Sequence, residues 1–164
     1  MTAHVVAATD EIPPGTRRLV EIDGREIGVY NVDGEFYAVR NRCPHQSGPL
    51  CEGLQVGRLE SSTPGSYQHT PGGSMIQCPW HQWEFDVRTG QSWCDPARLR
   101  VRAYPTRVEP GATMLATLDE GDGGEGGGPP GRVPGPYVAE VYPVTVDRDY
   151  VVVDLGRQGD PAGA

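Results

Sequence analysis

Short runs in which apolar and polar residues alternate predict β-strands near the start of the chain. Residues 17–22 and 25–31 form two such runs around Asp23-Gly24, a pair typical of two-residue hairpin turns. A second pair, Asp33-Gly34, precedes a further run over residues 36–40. The pattern therefore predicts three consecutive antiparallel strands.

Further along the chain the strand pattern becomes shorter and more interrupted. Residues 75–77 and 83–87 predict two more strands, and turn residues follow at 88–90. No segment keeps an apolar period of 3.6 residues, so little helix is expected. The predicted fold class is all-β, built of antiparallel sheets.

A tract at residues 121–136, in which 12 of 16 residues are Gly or Pro, divides two similar pieces of the chain. The tract has too few apolar side chains to bury a core and is expected to be a linker. Before it, residues 101–109 precede a strand-like run at 113–118. After it, residues 139–147 precede a run with stronger strand propensity at 150–155.

Two short motifs, Cys43-Pro44-His45 and Cys78-Pro79-Trp80-His81, each couple one thiol with one imidazole. Together they offer the ligands of a [2Fe-2S] cluster that has two Cys on one iron and two His on the other. A tetrahedral zinc ion takes the same ligand types and is the alternative. Zinc fingers usually group like ligands, whereas each motif here mixes them, so the sequence favours the cluster.

The segments 43–53 and 78–86, which contain these motifs, resemble the two cluster-binding loops of Rieske ferredoxins. The family binds its inner iron by cysteines and its outer iron by histidines at an exposed tip. The resemblance therefore implies the following ligands: Cys43 and Cys78 on the inner iron, His45 and His81 on the outer iron. The two histidines would then be the port through which electrons enter and leave.

The resemblance covers roughly residues 5–118 and implies a Rieske fold, in which the two loops form a cluster-binding subdomain. We predict three parts: an iron–sulfur domain at 1–118, a linker at 119–136 and an extra C-terminal β-hairpin at 137–164. Both C-terminal hairpins are expected to pack on the same domain.

The sequence departs from the Rieske pattern in three places. His45 and Cys78 are separated by 32 residues, considerably more than the usual gap, and the additional residues are polar and turn-rich. We expect an inserted loop or short hairpin at residues 54–76. Insertion at a surface connection has a small free-energy cost, so the ligand assignment is unaffected. Ser47 and Gln82 stand where glycine is common in the family.

Two cysteines, Cys51 and Cys94, remain after the ligands are assigned. Rieske proteins of respiratory complexes have a disulfide between their loops, but one of its positions corresponds here to Trp80, so that bridge cannot form. Free buried thiols are expected, and a bond between Cys51 and Cys94 is the alternative. His4 and His69 are expected to be solvated rather than to bind metal.

The expected function is one-electron transfer by a ferredoxin that passes electrons from a flavin-containing reductase to an oxygenase or similar enzyme, without catalysis of its own. A permanently bound small Rieske subunit of a multi-component oxidoreductase is the second possibility. Trp83 and Phe85 stand where high-potential relatives have hydroxyl groups that donate to cluster sulfur. The redox potential is therefore expected near the roughly −150 mV end of the Rieske range.

The 164-residue chain has a formal net charge of −8, with 22 acidic and 14 basic residues. This charge argues against binding to nucleic acid or to anionic membranes. It suits docking to a basic patch on a redox partner, and it is equally compatible with a solvated acidic surface. The sequence has no apolar run near 18 residues and no charged, apolar leader, so a cytoplasmic location is expected.

Overall fold

The computed structural model describes residues 3–114 and 148–156. Strands account for most of this part, in the order β1 Ala3–Ala8, β2 Arg17–Ile22, β3 Arg25–Val32, β4 Glu35–Arg40, β5 Leu54–Thr63, β6 Ser66–Gln77, β7 Glu84–Asp86, β8 Ala103–Tyr104, β9 Thr106–Pro110 and β10 Asp149–Asp154. Two short 3₁₀ turns lie at Thr9–Glu11 and Leu50–Glu52, and residues 111–114 form one helical turn. The all-β prediction is confirmed. None of the described helices is long and apolar enough to cross a membrane.

The β2, β3, β4 and β8 strands form a four-stranded antiparallel sheet in that order. Both predicted Asp-Gly turns join its strands, and Asp23 and Gly24 adopt φ values of 50° and 68°. Two consecutive left-handed residues give the turn a twist that matches the flanking strands. The predicted hairpins are therefore confirmed, with bounds that differ from the predicted ones by one residue at β3 and β4.

A three-stranded sheet has the order β1, β10, β9, so the last described strand lies between the first strand and β9. Both hydrogen-bonding edges of β10 are occupied, and its Val151 and Val153 are fully buried. The Gly111 N–H donates to the Arg148 carbonyl oxygen at 2.8 Å. This hydrogen bond joins the residue that follows β9 to the residue that precedes β10.

Strands β9 and β10 pair with each other, although the sequence predicted them in two separate C-terminal hairpins. Strand β9 lies mostly in the piece at 101–109, and β10 lies mostly in the run at 150–155. The prediction of a strand at 113–118 is wrong for residues 113 and 114, which are helical, because Pro110-Gly111 ends β9. The linker at 119–136 and the piece at 139–147 lie outside the described residues.

Strands β5, β6 and β7 form a third sheet, in which β5 and β6 are the insertion between the two motifs. The insertion is a hairpin whose strands are 10 and 12 residues long, so it is more extended than the expected loop or short hairpin. Its pairing is irregular, because Val56 pairs with Met75 whereas position 58 pairs with position 70, which leaves residues 71–73 as extra residues within β6. The hairpin turns at Pro64-Gly65, where Gly65 has a φ of 85°.

Two groups of buried residues form the core. One lies between the sheets that contain β10 and β3, and it consists of Ala7, Ile12, Ile27, Val29, Ala38, Tyr104, Val151, Val153 and Leu155. The other contains both motif cysteines, and it consists of Tyr30, Val32, Val39, Cys43, Leu50, Cys51, Ile76, Cys78, Phe85, Val87 and Val101. The second group therefore anchors the two loops that hold the candidate ligands.

Candidate metal centre

The two motif loops close with the same backbone hydrogen bonds. In the first loop, residues 43–48, the Cys43 N–H donates to the Gly48 carbonyl at 2.8 Å, and the Ser47 N–H donates to the Cys43 carbonyl at 2.8 Å. In the second loop, residues 78–83, the Cys78 N–H donates to the Trp83 carbonyl at 2.8 Å, and the Gln82 N–H returns to Cys78 at 2.9 Å. Each loop thus presents its cysteine and its histidine in one tight turn.

Ser47 and Gln82, which replace the glycines common in the family, adopt the left-handed conformation themselves, with φ values of 62° and 60°. This conformation costs an L-residue about 1–2 kcal/mol, which glycine avoids. The Arg42 Nε donates to Ser47 Oγ at 3.0 Å and supports the first loop. Both residues therefore adopt the backbone conformation that glycine favours.

We expect the substitution Gln82→Gly to stabilise the protein by about 0.5–1 kcal/mol, because it relieves the left-handed strain while it increases the entropy of the unfolded chain. Thermal unfolding of the cluster-loaded protein measures the effect. The matched control is Gln46→Gly at an exposed position of the first loop that has no positive φ, and it should destabilise by about 0.5–1 kcal/mol. Equal effects of both changes would contradict this reasoning.

The two motif thiols are buried together beneath the loops. Cys43 and Cys78 are 2% and 1% exposed, and both belong to the same buried cluster. Burial raises the pKa of the Cys43 thiol, the backbone N–H groups of His45 and Gln46 lower it, and Cys78 raises it. Both thiols must lose their protons to bind a metal, and the positive charge of the metal then balances the two negative thiolates.

The two motif imidazoles contact each other. The ring centroids of His45 and His81 are 4.8 Å apart with an interplanar angle of 79°. His81 is exposed, whereas His45 is half-buried, and its Nδ1 atom is buried without a hydrogen-bond partner. The expectation that both histidines lie at an exposed tip agrees with the exposure of His81, whereas His45 is only partly exposed.

Two tryptophans of the second loop contact the first loop. The Trp83 indole stacks on His45 with ring centroids 4.2 Å apart and planes 8° from parallel. Trp80 lies against Gly48, where a Cβ atom would come within 2.9 Å of the indole. The loops are thus joined by aromatic packing.

The donor set fits a two-iron cluster better than a single ion. Each iron of a Rieske cluster takes only two protein ligands. The buried thiol pair, the adjacent imidazole pair and the unsatisfied Nδ1 of His45 match that requirement.

Sequence analysis did not identify Asn41, which supports the 3₁₀ turn at Leu50–Glu52 that follows the first loop. Asn41 is buried, and its Oδ1 accepts the Cys51 N–H at 2.6 Å. Cys51 is buried as expected, with its thiol against Gly28, and burial raises its pKa to about 11. A lone Asn after a strand carries no sequence signal for this role.

Three other predictions concern residues outside the centre. Cys94 is an exposed free thiol, so the prediction that it is buried is wrong. His69 is exposed as expected. His4 is not fully solvated, because its Nε2 is buried 3.7 Å from Asp23 Oδ2 on the neighbouring turn. Neither histidine lies in a metal-binding cluster of the described residues.

Comparison with known proteins identifies the class that this fold and donor set define. The family profile described as the Rieske [2Fe-2S] domain matches residues 2–105. The chain belongs to this family, and its cofactor is a Rieske [2Fe-2S] cluster.

The relatives of this chain are ferredoxin components of dioxygenase systems. The ferredoxin component of the naphthalene 1,2-dioxygenase/salicylate 5-hydroxylase systems of Ralstonia sp. is 35% identical over 109 residues, which cover 66% of this chain and 89% of the relative. The biphenyl dioxygenase ferredoxin subunit of Pseudomonas sp. strain KKS102 is 33% identical over 109 residues, 66% of this chain and 86% of the relative.

A solved structure shows the same fold. The ferredoxin of carbazole 1,9a-dioxygenase from Nocardioides aromaticivorans IC177 aligns with a TM-score of 0.53 and 32% identity. The alignment covers 66% of this chain and 91% of that structure.

Proposed function

We propose that this protein is a ferredoxin that carries single electrons from a flavin-containing reductase to an oxygenase or similar enzyme. The similarity to ferredoxin components of dioxygenase systems supports this role over 66% of the chain. The chain's own contribution would be to hold the cluster, exclude water from its inner side and present its outer side to a partner.

The proposed ligands are Cys43 and Cys78 on the inner iron and His45 and His81 on the outer iron. The observation that carries this assignment is the pairing of like donors, with both thiols in one buried cluster and the two imidazole centroids 4.8 Å apart. A pair of thiols and a pair of imidazoles suit two irons that differ in their ligands.

When bound, the cluster supplies a reversible one-electron couple. Two thiolates and two neutral imidazoles balance the oxidised core, so reduction leaves one net negative charge at the centre. The buried cysteines exclude water on the core side. His81 and the neighbouring Trp80, which is 56% exposed, form the accessible face at which a partner would approach.

The redox potential is expected near the roughly −150 mV end of the Rieske range. Phe85 is fully buried and Trp83 stacks on His45, and neither side chain has a hydroxyl group that could donate to cluster sulfur. Hydrogen bonds to sulfur stabilise the reduced state, so fewer donors keep the potential low. Spectroelectrochemical titration measures it, and a value above about +150 mV would contradict this expectation.

The function is tested by analysis of the purified protein and then by its kinetics. Two irons and two sulfides per chain, with a rhombic EPR signal after reduction, are expected; bound zinc without sulfide would refute the proposal. Reduction by a flavin-containing ferredoxin reductase and reoxidation by several acceptors, with a monomeric elution volume, support a mobile carrier. Co-purification with one large partner would instead support a permanently bound Rieske subunit.

We also propose the domain organisation and location. Residues 1–118 would form the iron–sulfur domain, 119–136 a linker, and 137–164 a return to the same domain, which the position of β10 between β1 and β9 supports. The proposed compartment is the cytoplasm, since Cys51 and Cys94, which are not proposed ligands, are free thiols and suit a reducing environment. Fractionation of cells that express the tagged protein tests the location.

A further inference from the structure

The His45 imidazole contacts two rings of the second loop. Trp83 covers its face, with centroids 4.2 Å apart and planes 8° from parallel, and His81 meets it edge-on at 4.8 Å. A metal-binding histidine usually has its orientation fixed by a hydrogen bond from its second ring nitrogen. Within the described residues, the ring contacts are the interactions that set the His45 plane.

Trp83 is well placed to fix another residue because its own backbone is fixed. Its carbonyl accepts the Cys78 N–H at 2.8 Å, and the N–H of the left-handed Gln82 before it donates to the Cys78 carbonyl at 2.9 Å. Trp83 therefore contacts one proposed ligand, Cys78, through its backbone and another, His45, through its side chain. Its indole is half-buried, so it also covers His45 from solvent.

We propose that Trp83 is a positioning residue for His45, which fixes the plane of the imidazole and shields the outer iron from water. The proposal rests on the ligand set given under the proposed function. Its role is distinct from that of Trp80, which belongs to the same loop but packs on Gly48 and stays 56% exposed.

Two effects of removing the indole follow from this role. A less constrained imidazole binds iron less well, so Trp83→Leu should release iron to a chelator about 10-fold faster. Water that reaches the centre stabilises the negative reduced state, so the ratio of reduced to oxidised protein at a fixed potential should rise about twofold to tenfold, which is a positive shift of about 18–59 mV. The EPR g-values should change as well, since the ligand plane changes.

The test compares three variants of the full, cluster-loaded chain. W83L removes the ring plane, W83F keeps a smaller ring over His45, and W93L makes the same Trp-to-Leu change at an exposed position outside both loops. EPR spectra, midpoint potentials and iron-release rates are measured for each. The proposal expects changed values for W83L and nearly wild-type values for W83F and W93L.

Each other outcome also decides the question. Wild-type values for W83L, or the same altered values for W83F and W83L, would overturn the proposal, because the ring plane would then be irrelevant. If W83L does not take up iron, a loaded W83F with a wild-type spectrum supports the need for a ring, whereas an unloaded W83F assigns Trp83 to folding and overturns it. A wild-type chain without iron and sulfide would refute the proposed function itself, so the two failures are distinguishable.

Discussion

Removal of residues 119–164 is expected to leave a chain that neither folds nor binds a cluster. The truncation deletes β10, the middle strand of its sheet, and exposes both β1 and β9. The truncation also removes four buried side chains, those of Val151, Val152, Val153 and Leu155. Each contributes about 1.5–3 kcal/mol, and their sum is comparable to the whole stability of a typical domain, about 5–15 kcal/mol. Far-UV circular dichroism and visible absorption of the purified chain measure the result.

The matched control removes only residues 119–136 and retains β10. This chain should fold and bind its cluster, because the connection still leaves and returns at the hydrogen-bonded pair Gly111 and Arg148. Shortening a long loop changes the closure entropy only slightly. A folded, cluster-loaded product from the larger truncation would show that β10 is dispensable, contrary to its central position.

The substitution Cys78→Ser is expected to abolish cluster binding. Cys78 is 1% exposed beside Cys43, and no other cysteine lies in the same loop, so nothing replaces the lost thiolate. Iron and sulfide analysis should give less than about a tenth of the wild-type content, following the effect of ligand loss on metal affinity.

Cys94→Ser provides the control for this change, because it makes the same replacement at an exposed thiol. It should keep the full iron and sulfide content and an unchanged EPR signal. A C78S variant that retains a complete cluster would overturn the ligand assignment, whereas cluster loss in C94S would indicate a nonspecific effect of cysteine removal.

The strand hairpins could be predicted from the sequence because their signals are local. The Asp-Gly pairs at 23–24 and 33–34 specify left-handed turns, which fixes the register of the strands on either side. The inserted hairpin was harder to predict, since a strand that contains Pro71 and two glycines has no regular alternation. Its irregular pairing absorbs these residues.

The pairing of the C-terminal strands could not be predicted from local pattern. Strand β9 pairs with β10 and also contacts β4, and both of these strands lie far from β9 along the chain. Tertiary contacts that local propensity does not encode therefore decide this pairing. The position of β1 beside β10 was missed for the same reason, because its partner lies more than 140 residues away.

The candidate ligands were visible in the sequence because Cys-x-His and Cys-x-x-His spacings are short-range features. The unequal exposure of His45 and His81 was not visible. It arises from the stacking of Trp83 on His45, a contact between two loops whose approach is set by the buried core around Cys43 and Cys78. Short spacings identify the donors, whereas the fold decides how each is oriented and shielded.

The late position of β10 along the chain has a consequence for synthesis. Thirty-eight residues separate Pro110 from Asp149, and at about 5–20 residues per second a ribosome needs about 2–8 s to add them. During that interval the edges of β1 and β9 that will bind β10 have no strand beside them, and open edges favour aggregation.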